Sequence, residues 1–207
     1  MEIKKAQYMY GFASAEQYSP LVYPEIAVAG KSNVGKSSFI NMLTNIGRLA
    51  KVGQTPGKTR MVNVFRINDS FTLMDLPGYG YAKVSREEQA RFSALIEQYL
   101  HGSEKLVHVL LLLDIRHAPT QDDKTMLNWL SFYHVPFSVI ATKADKLSGA
   151  QRGRRVQELS REVGIIASQI YPVSSVSGYG KEKVLARLDE ILAACGEADS
   201  SAPQHDN

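Results

Sequence analysis

The chain has 207 residues, 44% of them hydrophobic and 22% charged, and a formal net charge of +3 at pH 7. These are ordinary globular values, so a chain disordered throughout and a fibrous repeat are excluded, and the length suits one domain with a real core. The single cysteine, Cys195, excludes an intramolecular disulfide and a zinc cluster built on several thiolates, and fits a reducing compartment.

The strongest apolar run, residues 106–113, is interrupted by His108 and stopped by Asp114. That is far short of the about 20 residues a membrane span needs. The opening MEIKKAQYMYGFASAEQYSP has no apolar stretch of signal-peptide length, so a soluble, cytoplasmic protein is expected. Residues 196–207 carry Glu197, Asp199 and Asp206 but no Lys or Arg, which leaves the body mildly basic. Such a bias permits contact with nucleic acid without demanding it.

In chain order, residues 1–22 read as an N-terminal extension and 23–195 as one domain. Residues 24–30 (PEIAVAG) form a short apolar run ending at a glycine, a buried strand, and 36–44 follow as a helix. Residues 47–60 are a loop broken by Gly53, Pro56 and Gly57. Residues 61–67 alternate apolar and polar, and 71–76 read as a second strand, paired as a hairpin across Asn68-Asp69. Residues 85–100 place Phe92, Leu95, Ile96, Tyr99 and Leu100 on one helical face. Residues 106–114 are a central strand, apolar on both faces. A helix over 120–133, a strand over 137–142, a helix over 148–163, a strand over 169–173 and a helix over 181–194 complete the domain, and 196–207 read as a disordered tail. This order predicts the α/β class: a mostly parallel six-stranded sheet with helices on both faces, and a ligand at the carboxyl ends of its strands.

Those strand ends carry the informative residues. Gly30-Lys31-Ser32-Asn33-Val34-Gly35-Lys36-Ser37 is GxxxxGK[ST] between a predicted strand and a predicted helix, the context that motif requires. Its glycines let backbone N–H groups turn inward around phosphates, and the helix N-terminus adds a positive dipole end. Lys36 can reach the β- and γ-phosphates, and the Ser37 hydroxyl can ligate Mg²⁺. Asp75-Leu76-Pro77-Gly78 closes a predicted strand. Asp75 can hold the Mg²⁺ shell and the Gly78 N–H can sense a γ-phosphate, although Asp before Pro-Gly is also a good turn. Thr142-Lys143-Ala144-Asp145 ends a further strand. The Asp145 carboxylate could accept from guanine N1–H and its 2-amino group, a pair of donors adenine does not offer, and the Lys143 stem could cover the base. Ser174, Ser175 and Val176 follow the last strand, where backbone N–H groups could meet the guanine oxygen. Taken alone, the third motif is equally a charged surface turn and the fourth carries little; their order gives them weight.

The combination GKSNVGKS, TPGKTR, DLPGYGYAKV, TKAD and SSVSGYG resembles the EngB family (also called YihA or YsxC) of bacterial P-loop GTPases. The resemblance covers residues 23–194 and implies the P-loop GTPase fold, GTP and GDP as ligands, Mg²⁺ as cofactor and hydrolysis of GTP to GDP and phosphate. It further implies a cytoplasmic protein linked to large ribosomal subunit assembly and needed for normal cell division and septation. By motif, Thr59 matches the switch threonine that completes Mg²⁺ coordination with GTP, with Thr55 as a rival, and Gly57, Lys58, Thr59, Arg60 and Met61 would line the nucleotide. Thr142 stands where most GTPases have Asn, a change the family shares.

Many GTPases carry a water-orienting Gln directly after DxxG; here the position is Tyr79, whose phenol is a poor replacement, so slow intrinsic turnover is expected. Related GTPases with an Asn at the position of Asn33 bind K⁺ beside the phosphates, which makes Asn33, Lys36 and Thr59 the candidate catalytic set; a loop Asn is equally able to cap a turn. A catalytic group from a partner is the competing source of activation. Arg48, Lys51, Lys58 and Arg60 form a basic loop that is either solvated or a contact for ribosomal RNA, and Arg152, Arg154, Arg155 and Arg161 could extend it. Trp129 and Tyr133 read as helix packing, and the five histidines have no metal-ligand spacing. The leading expectation is therefore a monomeric assembly GTPase that contacts the large-subunit precursor and its RNA. The alternatives are a GTP-dependent ribosome or RNA-binding module with incidental hydrolysis, and an ATP-using P-loop enzyme, against which TKAD argues.

Overall fold

The computed structural model describes residues 1–50, 61–80 and 86–200. The elements follow in the order β1 (Ala6–Phe12), β2 (Glu25–Gly30), α1 (Lys36–Thr44), β3 (Val62–Ile67), β4 (Phe71–Asp75), α2 (Arg86–Gly102), β5 (Leu106–Asp114), α3 (Gln121–Phe132), β6 (Phe137–Thr142), α4 (Gly149–Val163), β7 (Ile170–Pro172) and α5 (Lys181–Ser200). The described residues form one seven-stranded sheet in the order β1-β3-β4-β2-β5-β6-β7. β2 pairs in parallel with β4 and β5, as do β5 with β6 and β6 with β7, while β3 is antiparallel to both β1 and β4.

The α/β class is as expected, but the sheet has one strand more. That strand is β1, drawn from the segment read as an extension. It is an edge strand with little of its surface buried and a register break between Tyr8 and Tyr10, so it lacks the alternation that marks a half-buried strand. The hairpin between β3 and β4 turns at Asn68 and Asp69, both with positive φ, which these residue types tolerate best after glycine. Asn68 also fastens the N-terminal segment: its Oδ1 accepts from the Lys4 and Lys5 N–H groups and its Nδ2 donates to the Glu2 carbonyl. α5 runs to Ser200, beyond the expected end at Ala194; residues 201–207 lie outside those described.

Alternate residues of each central strand serve the two faces. Ala27, Ala29, Val109, Leu111 and Leu113 face Leu95, Ile96, Tyr99 and Leu100 of α2, Leu127 and Leu130 of α3 and Leu159 of α4. Ile26, Val28, Leu110 and Leu112 face Phe39, Ile40 and Leu43 of α1 and Val184, Leu185, Leu188 and Ile191 of α5. The helix starts at Thr120 and Ser148 are N-caps, each closed by a capping box with Asp123 or Gln151. This double-sided core brings the carboxyl ends of β2, β4, β5 and β6 to one rim, next to the N-terminus of α1.

Candidate functional site

The phosphate loop is shaped by its backbone. β2 is buried along its whole length and ends at Gly30, where a Cβ would come within 3.0 Å of Leu112 and Val34. Asn33 (φ 64°) and Gly35 (φ 108°) then take positive φ, and the Val34 N–H closes the turn onto the Lys31 carbonyl at 3.1 Å. A Cβ on Gly35 would meet nothing within 4 Å, so conformation and not room is what requires glycine there. α1 starts at Lys36 without a side-chain cap at Gly35. Its first N–H groups and the positive end of its dipole are thereby left for an anion.

The segment after β4 lies directly on this loop. A Cβ on Gly78 would come within 3.1 Å of the Ser32 Cα, and the Ser32 N–H donates to the Tyr79 carbonyl at 2.9 Å. The Lys36 ammonium sits 3.0 Å from Asp75 Oδ1, with both side chains largely buried. The residue following Gly78 is the one that in many GTPases orients water. Here the Tyr79 phenol turns away and donates to Asp123 Oδ1 on α3 at 2.8 Å.

At the other end of the rim, Thr142 binds the phosphate loop to the sheet. Its buried hydroxyl lies 2.8 Å from the Val34 carbonyl and 3.1 Å from that of Leu113, and donates between them. Lys143 adopts positive φ (61°), and its ammonium donates to the Asn33 carbonyl at 3.2 Å. The Ala144 N–H donates to Val173, which joins the third motif to the fourth. Asp145 Oδ1 accepts from Ser174 Oγ at 2.8 Å, and Oδ2 lies 3.2 Å from the Lys146 ammonium. The Ser174 bond, with Lys146, lowers the Asp145 pKa, so the carboxylate is an acceptor at neutral pH. Ser174 Oγ also accepts from the Val176 and Ser177 N–H groups, while the Val176 side chain is exposed.

The donor set suits a hard divalent cation. The Ser37 hydroxyl is in the first turn of α1, and Asp75 offers a carboxylate at the end of β4. Asp75 Oδ1 is buried with the Lys36 ammonium beside it but without a hydrogen bond, an arrangement that leaves the carboxylate capacity for a cation or its water. Thr59, the third expected contributor, lies outside the described residues, as do Thr55, Gly57, Lys58 and Arg60.

The structure thus brings together Gly30–Ser37, Asp75–Gly78, Thr142–Asp145 and Ser174–Val176. Met61 directly precedes β3, whose Asn63 pairs with Asp75, so it begins at the same rim, while its thioether lies against Gly11 of β1. Sequence reading also missed Asp114 at the end of β5, which pairs with Lys143 at 3.0 Å. The only signal was its position at a strand's carboxyl end. The α4 arginines prove to be structural in part. Arg155 donates to the Ile115 and His117 carbonyls and pairs with Glu158 and Glu162, and the Arg152 guanidinium lies over the Tyr179 ring at 4.3 Å. Trp129 and Tyr133 pack as expected, with ring centroids 4.4 Å apart. No group of three or more candidate ligands from His, Cys, Asp and Glu is assembled among the described residues.

Comparison with known proteins agrees with this geometry. The model of the family described as 50S ribosome-binding GTPase matches residues 25–143. A probable GTP-binding protein EngB of Clostridium kluyveri is 45% identical over an aligned length of 196, with 93% of this chain and 98% of that protein covered. The chain belongs to the EngB family of P-loop GTPases. It is accordingly a GTP-binding protein of the GTPase class. The EngB protein of Caldanaerobacter subterraneus subsp. tengcongensis is 42% identical over 93% of this chain and 99% of its own. A crystal structure of a probable EngB superposes with a TM-score of 0.71 at 24% identity, covering 82% of this chain and 99% of that one. Aquifex aeolicus Era bound to GDP·AlF4⁻ shares the fold, with a TM-score of 0.64 at 23% identity over 81% of this chain and 56% of that one. Among the described residues, no helix is long and apolar enough to cross a membrane.

Proposed function

We propose that the protein is a slow GTPase switch needed for large ribosomal subunit assembly and for normal cell division and septation. It acts as a cytoplasmic monomer. One observation carries the switch reading: the γ-phosphate-sensing loop is strapped to the phosphate loop (Ser32 N–H to Tyr79 carbonyl) while the Tyr79 phenol is held on α3. The loop that must respond to GTP is thereby tied to the phosphate loop, while the side chain at the usual water-orienting position is engaged on α3. The description of the matched family as ribosome-binding supports the assembly role.

In this reading the N–H groups of Gly30–Ser37 and the head of α1 hold the phosphates, and Lys36 exchanges the Asp75 carboxylate for phosphate oxygens. Asp145 accepts from the guanine N1–H and amino group, with the Ser174–Val176 backbone beside the guanine oxygen. Ser37, Thr59 and, through water, Asp75 would hold Mg²⁺, which supplies positive charge to the β- and γ-phosphates when bound. Asn33 would help to hold a K⁺, which would supply positive charge against that developing on the phosphates; a group from the ribosomal partner is the competing source of activation. The Tyr79 geometry also favours a second reading, a GTP-dependent ribosome- or RNA-binding module whose hydrolysis is incidental.

Co-sedimentation with large-subunit precursors in the presence of GDP, a GTP analogue or no nucleotide tests the proposal. Association only with the analogue is expected, and equal association in all three conditions would sink it. A hydrolysis-deficient variant that still binds GTP separates the two readings, since normal subunit assembly with it favours the module. Asp145→Asn tests the base site: affinity for GTP should fall by about 100-fold while that for xanthosine nucleotides rises.

A further inference from the structure

Asp114 belongs to none of the nucleotide motifs, yet it stands between two of them. Its carboxylate is fully engaged. Oδ1 accepts from the Arg116 backbone N–H at 3.1 Å and from Arg116 Nε at 2.9 Å. Oδ2 accepts from Arg116 Nη2 at 2.7 Å and pairs with the Lys143 ammonium at 3.0 Å. The Arg116 guanidinium grips both oxygens, which fixes the plane of the carboxylate as well as its place. Burial opposes ionisation of Asp114, but the bonds from Arg116 and Lys143 outweigh it and hold the carboxyl well below the usual carboxylate range.

Lys143 is the residue this arrangement acts on. Its backbone is turned into the left-handed region at the end of β6, and its ammonium is held from two sides, by Asp114 and by the Asn33 carbonyl of the phosphate loop. A lysine stem is long and flexible, and with solvent around it would sample many rotamers. Pinned at both ends, it becomes a fixed apolar rail running from the base loop to the phosphate loop. A planar purine stacked on that rail meets a wall whose ordering cost has already been met before binding, which is preorganisation and appears mainly as slower release.

We propose that Asp114 is a positioning residue for nucleotide retention: it holds Lys143 as a preformed wall for one face of the guanine base, and Arg116 locks Asp114 in the orientation this needs. The inference rests on the reading of Thr142–Asp145 as the base loop. Arg116 is the more exposed partner of the pair, with its side chain 38% exposed against 15% for Asp114.

The test uses the full chain and GDP carrying a fluorescent ribose label. Asp114→Asn keeps the size of the side chain but turns an amide donor toward two cations. Release should become about tenfold faster, with the association rate constant unchanged within about twofold. Lys143→Ala should speed release at least as much. The double variant should release no faster than the faster single variant, because both act through one wall. Unchanged release in Asp114→Asn, or effects of the two substitutions that multiply, would overturn the proposal. If Asp114→Asn does not yield folded protein, Arg116→Gln takes its place with an expected acceleration of about threefold, and an unchanged rate then overturns it. Asp145→Asn keeps the underlying reading separate. Loss of guanine preference there, together with unchanged release in Asp114→Asn, defeats this inference alone. Retained guanine preference in Asp145→Asn defeats the base-loop reading itself.

Discussion

The Tyr79 phenol donates to Asp123 Oδ1 at 2.8 Å, while Asp123 Oδ2 accepts from both the N–H and the hydroxyl of Thr120 at the head of α3. One carboxylate therefore caps a helix and anchors the loop that follows β4. Burial, reinforced by the neighbouring Asp123 and Asp122 charges, pushes the Tyr79 pKa far above its ordinary value, so the phenol stays a neutral donor at any working pH. A phenol held on α3 cannot orient water at a γ-phosphate bound by the phosphate loop without first breaking this bond.

Tyr79→Phe removes the hydrogen bond and keeps the ring. Loss of a partly buried bond to a carboxylate should cost about 1–2 kcal/mol in unfolding free energy, because Asp123 retains Thr120 as a donor. Turnover at saturating GTP should stay within about twofold of the parent or rise, as the loop is released from α3. Single-turnover hydrolysis checks this, and a fall in rate of tenfold or more would place the phenol in the reaction.

Thr142→Val is isosteric and deletes the hydroxyl that bridges the Val34 and Leu113 carbonyls. The shorter of the two contacts, to the Val34 carbonyl, loses its side-chain donor, which should destabilise the protein by about 1–2 kcal/mol. Nucleotide release should also quicken, since Val34 lies within the phosphate loop. Urea unfolding and GDP release measured on the same preparation check both effects. An unchanged unfolding midpoint would mean the bridge contributes nothing measurable.

His108 offers a pH signature far from the site. It is buried on β5 with Nε2 2.9 Å from Ser138 Oγ, and burial, helped by Arg187, pulls its pKa from 6.5 down to about 4. Between those values the unfolded chain binds a proton that the folded chain does not, so stability falls as pH drops through this window. The loss between pH 7 and 4.5 should reach about 2–3 kcal/mol. Glu25 works against it. Burial raises its carboxyl above the ordinary value despite bonds from Tyr99, Tyr18 and Ser103, so just above that ordinary value it is the folded chain that binds the extra proton. Comparing His108→Gln with the parent isolates the histidine. The variant should lose less stability on acidification, and parallel pH profiles would refute the assignment.

What the sequence disclosed and what it hid divide along a physical line. The phosphate loop was legible because its chemistry is local: two glycines, a lysine and a serine within one turn and the start of a helix. The Asn68-Asp69 hairpin was legible for the same reason, since its positive φ values are set by those two residue types. β1 was hidden because an edge strand with a register break carries no clean period. The Tyr79–Asp123 and Thr142–Val34 bonds were hidden because they join segments distant in the chain, where only the folded sheet brings the partners within reach.

The α4 arginines show the cost of reading a charge run as a surface. Arg155 is mostly buried, donates to the Ile115 and His117 carbonyls and pairs with Glu158 and Glu162, whereas Arg154 is 85% exposed with only a loose contact to Glu158 at 3.9 Å. Removing Arg155 takes the donor from the buried Ile115 carbonyl, while the His117 carbonyl, Glu158 and Glu162 remain open to water. Arg155→Ala should therefore cost about 1–3 kcal/mol. Arg154→Ala should change stability by less than about 0.5 kcal/mol, as exposed ion pairs usually do. If α4 also contacts RNA, the two variants must part in the other direction. Arg154→Glu and Arg161→Glu would weaken ribosome association with stability intact, while Arg155→Lys would alter stability with association per folded molecule unchanged. Thermal melts read beside salt-dependent co-sedimentation decide between these roles. A loss of association in Arg155→Lys without a change in melting would return Arg155 to the RNA-facing set.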